Sequence, residues 1–405
     1  MKICMISKYP PIEGGVSSRV YWLAKALGER GHEVHIVTNA LEVENEYREV
    51  LDLNDPNYMP KNVFVHNTDP SPSIQANPNQ IPFSKKYCEK LASLAIDVIE
   101  EYNIDLIDSR YLVPYAVSGY LAKSLLKVPQ LISHAGSDLQ RLYPSRYLNS
   151  LLKKILNSAD GIITTPKNEP FFTNLGVSTS KIFFENQLIV DTQAFNPNVL
   201  PFNLDSYCTN QRISSDIPII GYIGKITTNY KTKGLLELLN ACSKIDKRFL
   251  LVFQSNGKKL GEFKLLIEKL NLTEKTCFLP FLPPWKIPSI LKSLNCVISL
   301  EKRNSPTLEY TDSTIPAEVI FTGKCVLMSQ AVHAKEHYKN LKDKEEVFVV
   351  DTNNLQNLRN ILLKIIQNPD LANTVGKNGR EAIMKDKQNF RLVDKTIEIY
   401  KKLIT

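Results

Sequence analysis

Apolar and polar positions alternate between two periods along this chain. Residues 2–7 (KICMIS) are apolar and suited to a strand, and residues 8–15 (KYPPIEGG) carry the prolines and glycines of a loop. Val20, Leu23, Ala24 and Leu27 then recur at intervals of three and four, one face of a helix that Ser17 or Ser18 is placed to cap. Gly31 ends it, and His32–Thr38 (HEVHIVT) alternates like a strand entering a sheet. A strand, a helix and a second strand within so short a span predict a parallel sheet with a crossover helix.

After a polar stretch rich in Pro and Asn (41–84), which holds one short strand at Val63–His66, the alternation resumes. It predicts helices near 85–102, 114–126 and 146–157, and strands at Leu106–Asp108, Gln130–Ser133 and Gly161–Thr165. Residues 198–217 have little periodicity and read as a linker. A second series follows: strands at Ile219–Ile223, Phe249–Gln254, Cys277–Leu279 and Cys296–Leu300, with helices at 233–243, 261–270 and 286–293 between them. The fold class is α/β, in two doubly wound domains. Ligands of such sheets bind beyond the carboxyl ends of the strands, so the loops there are where chemistry is to be sought.

The chain has 405 residues, enough for two domains, and its 43% hydrophobic and 23% charged residues exclude a disordered or fibrous chain. A net charge of +8 is unevenly placed. Residues 1–200 hold 19 basic and 21 acidic side chains, whereas residues 201–405 hold 31 and 21. A basic half beside a neutral one suggests that the second domain handles an anion. The basic residues are not interleaved with aromatic ones, which argues against a nucleic-acid partner. Seven scattered cysteines form no C-x-x-C pair and read as buried, reduced thiols. With no signal peptide and no apolar run of membrane-spanning length, a cytoplasmic protein is expected, at most peripheral at the inner face of a membrane.

Four loops carry candidate chemistry. Gly14 and Gly15, before the first helix, suit close approach of backbone N–H groups to a phosphate, and equally suit a plain tight turn. His134, in Ser133-His134-Ala135-Gly136-Ser137-Asp138 at a strand end, suits donation to a substrate hydroxyl or proton transfer; a structural histidine has the same spacing. Lys225 ends a strand and Lys233 precedes the next helix, so both can converge on a diphosphate, although lysines are also ordinary surface residues. Glu301, Glu309, Asp312 and Glu318 lie between the strand ending at Leu300 and a helix beginning near Pro316. In the first turn of that helix Glu318 suits acceptance from ribose hydroxyls, and an ordinary first-turn Glu looks the same.

The order of these features resembles family four of the nucleotide-sugar glycosyltransferases, a retaining family with the GT-B fold. EGGVSSRVYWLAKALGERGHEVHIVT resembles its N-terminal Gly-Gly loop, helix and second strand, and LIDSRYLVPYAVSGYLA and QLISHAGSD its next two segments. NSADGIITTPKNEPFFTNLGVSTSKIFFENQLIVDTQAF resembles the close of the first domain, IGYIGKITTNYKTKGLLELLNA the donor-phosphate loop, and PAEVIFTGKCVL the acidic helix. The final FRLVDKTIEIYKKL resembles the C-terminal helix that crosses back to the first domain. The resemblance implies an acceptor-side domain (1–197), a linker (198–217), a nucleotide-sugar domain (218–385) across a central cleft, and a C-terminal helix (386–405) returning to the first domain.

It further implies that Gly15 faces the donor phosphates, that His134 faces the transferred sugar, and that Lys225 and Lys233 neutralise the departing diphosphate. Lys225 stands where the family usually has Arg, which keeps the charge and loses the bidentate fork. Glu318 matches the second Glu of the family's E-x7-E motif. Eight residues before it stands Tyr310, with Glu309 one step off; the literal E-x7-E of Glu301 and Glu309 is a spacing that chance supplies in a chain this long. The implied activity is sugar transfer from a nucleotide diphosphate to an acceptor hydroxyl in glycan, polysaccharide or glycolipid biosynthesis, with no cofactor and no metal. The partners implied are the donor, a glycan, lipid-linked or small-molecule acceptor, and a membrane surface touched through Arg141–Lys154. A nucleotide-sugar epimerase on the same fold and a non-catalytic nucleotide-sugar-binding regulator are the competing readings.

Overall fold

The computed structural model describes residues 1–69, 87–142, 144–185, 188–208, 217–305, 313–385 and 392–405. The chain divides into two compact units: Met1–Arg48, Asp52–Ile189 and Arg391–Thr405 form the first, Glu49–Leu51 and Val190–Phe390 the second.

The first unit is built on seven parallel strands, β1 (Lys2–Ser7), β2 (Glu33–Thr38), β3 (Val63–Asn67), β4 (Leu106–Arg110), β5 (Gln130–Ser133), β6 (Gly161–Thr164) and β7 (Ile182–Phe184), in the order β3-β2-β1-β4-β5-β6-β7. The order reverses between β1 and β4, where Ile3 pairs with both Val34 and Leu106. Helices cover both faces, so β1 is buried from Ile3 to Ser7 and reads as a continuous apolar run. The helix Gly15–Glu29 starts two residues before the serines expected to cap it: Gly14, at φ 117°, is the N-cap, and Ser17 is buried within the helix. Only glycine adopts that φ freely, which sets the helix start directly behind the Gly-Gly turn.

The helix Leu392–Ile404 belongs to this unit. The Tyr400 hydroxyl donates to Asp108 in β4, and the Thr396 hydroxyl donates to Glu185 just after β7. Asp108 also holds Arg110, whose Nε donates to it at 2.9 Å. Burial pushes the Glu185 carboxyl up to about 7, against the Thr396 hydrogen bond and the Arg110 charge, which pull it down.

The second unit carries β8 (Ile219–Ile223), β9 (Leu250–Gln254), β10 (Thr276–Leu279), β11 (Cys296–Ser299), β12 (Cys325–Ser329) and β13 (Phe348–Val350), all parallel, in the order β10-β9-β8-β11-β12-β13. Its order reverses between β8 and β11. A core of Leu235, Leu239, Phe253, Phe263, Ile298 and Leu362 packs the helices onto one face of the sheet. The sequence pattern did not show β7, β12 and β13, nor the helices Ser137–Leu142, Leu355–Gln367 and Pro369–Lys385. β7 and β13 are only three residues long, too short for a period to register.

The expectation of seven reduced cysteines is corrected. Cys208 and Cys277 form a disulfide that ties the segment before β8 to β10. The two lie 69 residues apart, so no local spacing announces them. No helix among the described residues is long and apolar enough to cross a membrane.

Candidate functional site

In the second unit the chain leaves β8 through Gly224 and Lys225 and returns to begin the helix Leu235–Cys242. Gly234 makes that return possible. It has φ 70°, and a Cβ there would meet the Leu300 carbonyl oxygen at 2.5 Å. Close approach at this point sets Lys233 against the end of β8. Its Nζ donates to the Lys225 carbonyl at 2.8 Å and lies 6.0 Å from the centre of the Tyr222 ring. Lys225 and Lys233 are thus brought together, both half-buried.

Glu301 stands one residue beyond Leu300, past the end of β11. Its carboxylate accepts from the Ser299 hydroxyl at 2.8 Å, and its carbonyl accepts from the Ser329 hydroxyl at 2.5 Å. Lys302 fixes the same turn: its backbone N–H donates to the Thr232 carbonyl at 2.7 Å and its ammonium meets Glu237 at 2.6 Å. Burial lowers the Lys233 ammonium from its ordinary value, and the Glu301 carboxylate partly offsets the fall. Glu301 therefore acts on Lys233, although its E-x7-E spacing to Glu309 is one that chance supplies. The strand order carries the signal, because Glu301 follows β11 at the switch point of the sheet.

Glu318 lies on the helix Ile315–Phe321, with its backbone N–H donating to the Thr314 carbonyl. Its side chain is buried, and desolvation alone pushes the carboxyl up to about 8. Among the described residues no opposite charge offsets that shift, so the carboxyl favours its neutral form. Glu309 and Asp312 fall in 306–312, outside the described residues.

In the first unit, Gly14 caps the helix, and the Ser18 N–H closes its first turn onto the Gly14 carbonyl at 3.0 Å. A Cβ at Gly15 would meet no atom within 4 Å, so the space before the turn is open to a ligand. Asp138 orders the β5 loop by accepting from the backbone N–H groups of Leu112, Ala135 and Leu139 at 3.0–3.1 Å. His134 sits in that loop with both ring nitrogens engaged. Nδ1 accepts from the Gly136 N–H at 3.2 Å, which leaves the proton on Nε2 to be donated to the Thr164 hydroxyl at 2.8 Å. Burial, assisted by the charge of Arg19, drives its imidazolium pKa down to about 3, so the ring is neutral. Donation to a substrate or proton transfer through His134 requires one of these bonds to break first.

His134 shares the wall of a small pocket with Arg19, Arg110, Tyr111 and Ser133. Arg110 and Tyr111 end β4 at the switch point of the first sheet, and Tyr111 has φ 102°. Neither arginine stood among the sequence candidates, since the search for glycine and acidic motifs passed over them. Among the described residues, no group of three or more His, Cys, Asp or Glu side chains is arranged to hold a metal ion.

The model for Glycosyltransferase Family 4 matches residues 13–168, and that for Glycosyl transferases group 1 matches residues 209–382. An uncharacterized glycosyltransferase of Methanocaldococcus jannaschii is 26% identical over 390 residues, 94% of this chain and 93% of that protein. The N-acetyl-alpha-D-glucosaminyl L-malate synthase of Bacillus anthracis is 24% identical over 282 residues, 68% of this chain and 66% of that one. Among solved structures, the sucrose-phosphate synthase of Thermosynechococcus elongatus superposes with a TM-score of 0.66 at 18% identity, covering 99% of this chain and 98% of its own.

Proposed function

The chain belongs to the family-four glycosyltransferases of the GT-B fold, and we propose that it transfers a sugar from a nucleoside diphosphate to an acceptor hydroxyl with retention at the anomeric carbon. The observation that carries this reading is the convergence of Lys225 and Lys233 at the end of β8, beside Glu301. In the reaction, the bond from the anomeric carbon to the diphosphate oxygen breaks, and the electron pair leaves with the diphosphate. A new bond forms to the acceptor oxygen, whose proton passes to the leaving group or to solvent. Negative charge grows on the leaving phosphate, and in this proposal the Lys233 ammonium, with Lys225 as its neighbour at the strand end, lowers its energy before the bond breaks. Glu318 supports the reading as a buried, neutral carboxyl that can take a ribose hydroxyl, and the open face of Gly15 supports it as a place for phosphate or sugar to approach. Glu309 and His134 stay in the proposal as groups near the donor sugar, His134 through the loop it stabilises. The lysines serve in place of a divalent cation.

The experiment is a panel of UDP-, GDP- and ADP-sugars followed by nucleoside diphosphate release, with a chelator in parallel, and NMR of the product for the anomeric configuration. Release from one donor that survives chelation, with the configuration kept, is expected. Binding without release under any acceptor would move the reading to a regulator, and no nucleotide binding would end it.

A peripheral membrane contact belongs to the same proposal. Tyr147 is 92% exposed and Leu151 41% exposed, beside Arg146, Lys153 and Lys154. That mixture of basic and apolar side chains suits an anionic lipid surface. Flotation with anionic but not neutral vesicles is expected; flotation with neither removes the contact.

A further inference from the structure

The pocket at the switch point of the first sheet is built from charge that the donor chemistry leaves unused. Arg19 reaches it from the first helix, where its Nε donates to the Gly15 carbonyl at 3.2 Å. Arg110 reaches it from the end of β4. Asp108 grips Arg110 from beneath through Nε, and Tyr400 donates to the same carboxylate, so the guanidinium cannot turn away. One Nη of Arg110 lies 2.8 Å from the same Asp108 carboxylate, so the ion pair holds the guanidinium through two of its nitrogens. Among the described residues that line the pocket there is no carboxylate, and its imidazole is neutral.

We propose that this pocket is the subsite for an anionic group on the acceptor, a carboxylate or a phosphate, with Arg110 and Arg19 as its anchors. The acceptor class is then a hydroxy acid or a phosphorylated polyol or sugar, whose anion sits in the first unit and presents its hydroxyl for glycosylation. The rigid hold of Asp108 on Arg110 suits this role, because a planar fork fixed in advance loses little freedom on meeting a carboxylate or phosphate. Ser133 supplies a hydroxyl on the same wall for a remaining oxygen. The assignment of this anion to an acceptor rests on the glycosyltransferase reading above, whereas the presence of an anion site does not.

The test separates the two. Binding of inorganic phosphate and of malonate to the full chain is measured by titration calorimetry with saturating UDP, at constant ionic strength set with chloride. Arg19→Gln and Lys233→Ala are measured beside the wild type. At least a tenfold loss of affinity for one of the anions in Arg19→Gln, and none in Lys233→Ala, is expected. Arg110→Gln is expected to lose at least as much, and Arg19→Gln keeps the question answerable if that variant does not fold. Equal affinity in wild type and Arg19→Gln, or no binding above the chloride control, overturns the proposal. Turnover is then compared for glycerol, glycerate and glycerol 3-phosphate with the active donor. Preference for glycerate or for glycerol 3-phosphate identifies the anion, with its KM raised at least tenfold in Arg19→Gln. Preference for neutral glycerol overturns the acceptor assignment. Anion binding that depends on Arg19, with no turnover of any donor, keeps the site and rejects the glycosyltransferase reading.

Discussion

At the scale of the residue, the proposed donor site turns on the pair Lys233 and Glu301. A charge-assisted hydrogen bond to phosphate contributes about 1.5–3 kcal/mol, so Lys233→Ala is expected to weaken nucleoside diphosphate binding about 10- to 100-fold. Glu301→Gln acts differently. It removes the charge that offsets the burial of Lys233, so the lysine pKa falls further and the ammonium is lost at lower pH. The alkaline limb of diphosphate affinity should therefore move to lower pH in Glu301→Gln, read from Kd against pH. An unshifted limb would detach Glu301 from the lysine. Glu318 offers a stability test with a definite sign. Its carboxyl titrates near 4.5 when unfolded and at about 8 when buried. Below the lower value both states carry the proton; between the two values only the folded chain keeps it, so stability falls as pH rises. In Glu318→Gln that loss is absent, and its Tm should gain on the wild type by a margin that widens from about pH 5 to about pH 8.5 without nucleotide. A constant margin would show that Glu318 does not titrate in this way.

At the scale of the element, the helix Leu392–Ile404 is anchored by polar contacts as well as by packing. Tyr400→Phe removes a buried hydroxyl from Asp108, a carboxylate already short of partners on its other oxygen. A loss of about 1–3 kcal/mol follows, read as a lower urea midpoint with an unchanged slope. An unaltered midpoint would mean that Arg110 alone satisfies Asp108. The elements themselves were mostly legible in the chain. β1, β5 and β8 have the expected bounds, because strands buried on both faces are uninterrupted apolar runs between loop residues. The start of the first helix was misread, because Ser17 looks like a cap until the φ of Gly14 is known. The candidate site was legible where its residues follow a strand directly, as Lys225 and His134 do. Glu301 follows a strand and Arg110 ends one, but Lys233 beside Glu301, and Tyr400 on the Asp108 that holds Arg110, come from other elements, so spacing alone gave them no weight.

At the scale of the whole molecule, the Cys208–Cys277 disulfide closes a loop of 69 residues around β8, β9 and the helices between them. A crosslink of that span stabilises by about 2–4 kcal/mol, mainly by restricting the unfolded chain. Cys208→Ser should lower the unfolding free energy of the oxidised protein by that amount, read from its denaturant midpoint and slope, and leave the reduced protein nearly unchanged. A peptide map without reductant that shows both thiols free would remove the bond. The sequence by itself determined two α/β units, ten of their thirteen strands and the basic bias of the second, because each depends on period, turn residues and charge, which are local. It also carried the family resemblance, since seven segments in order are a property of the chain alone. Only the tertiary structure decided which charges meet. Parallel strands place residues a hundred or more positions apart at one sheet edge, so the neighbours of Arg110 and the offset that Glu301 gives Lys233 exist only once the crossovers are closed.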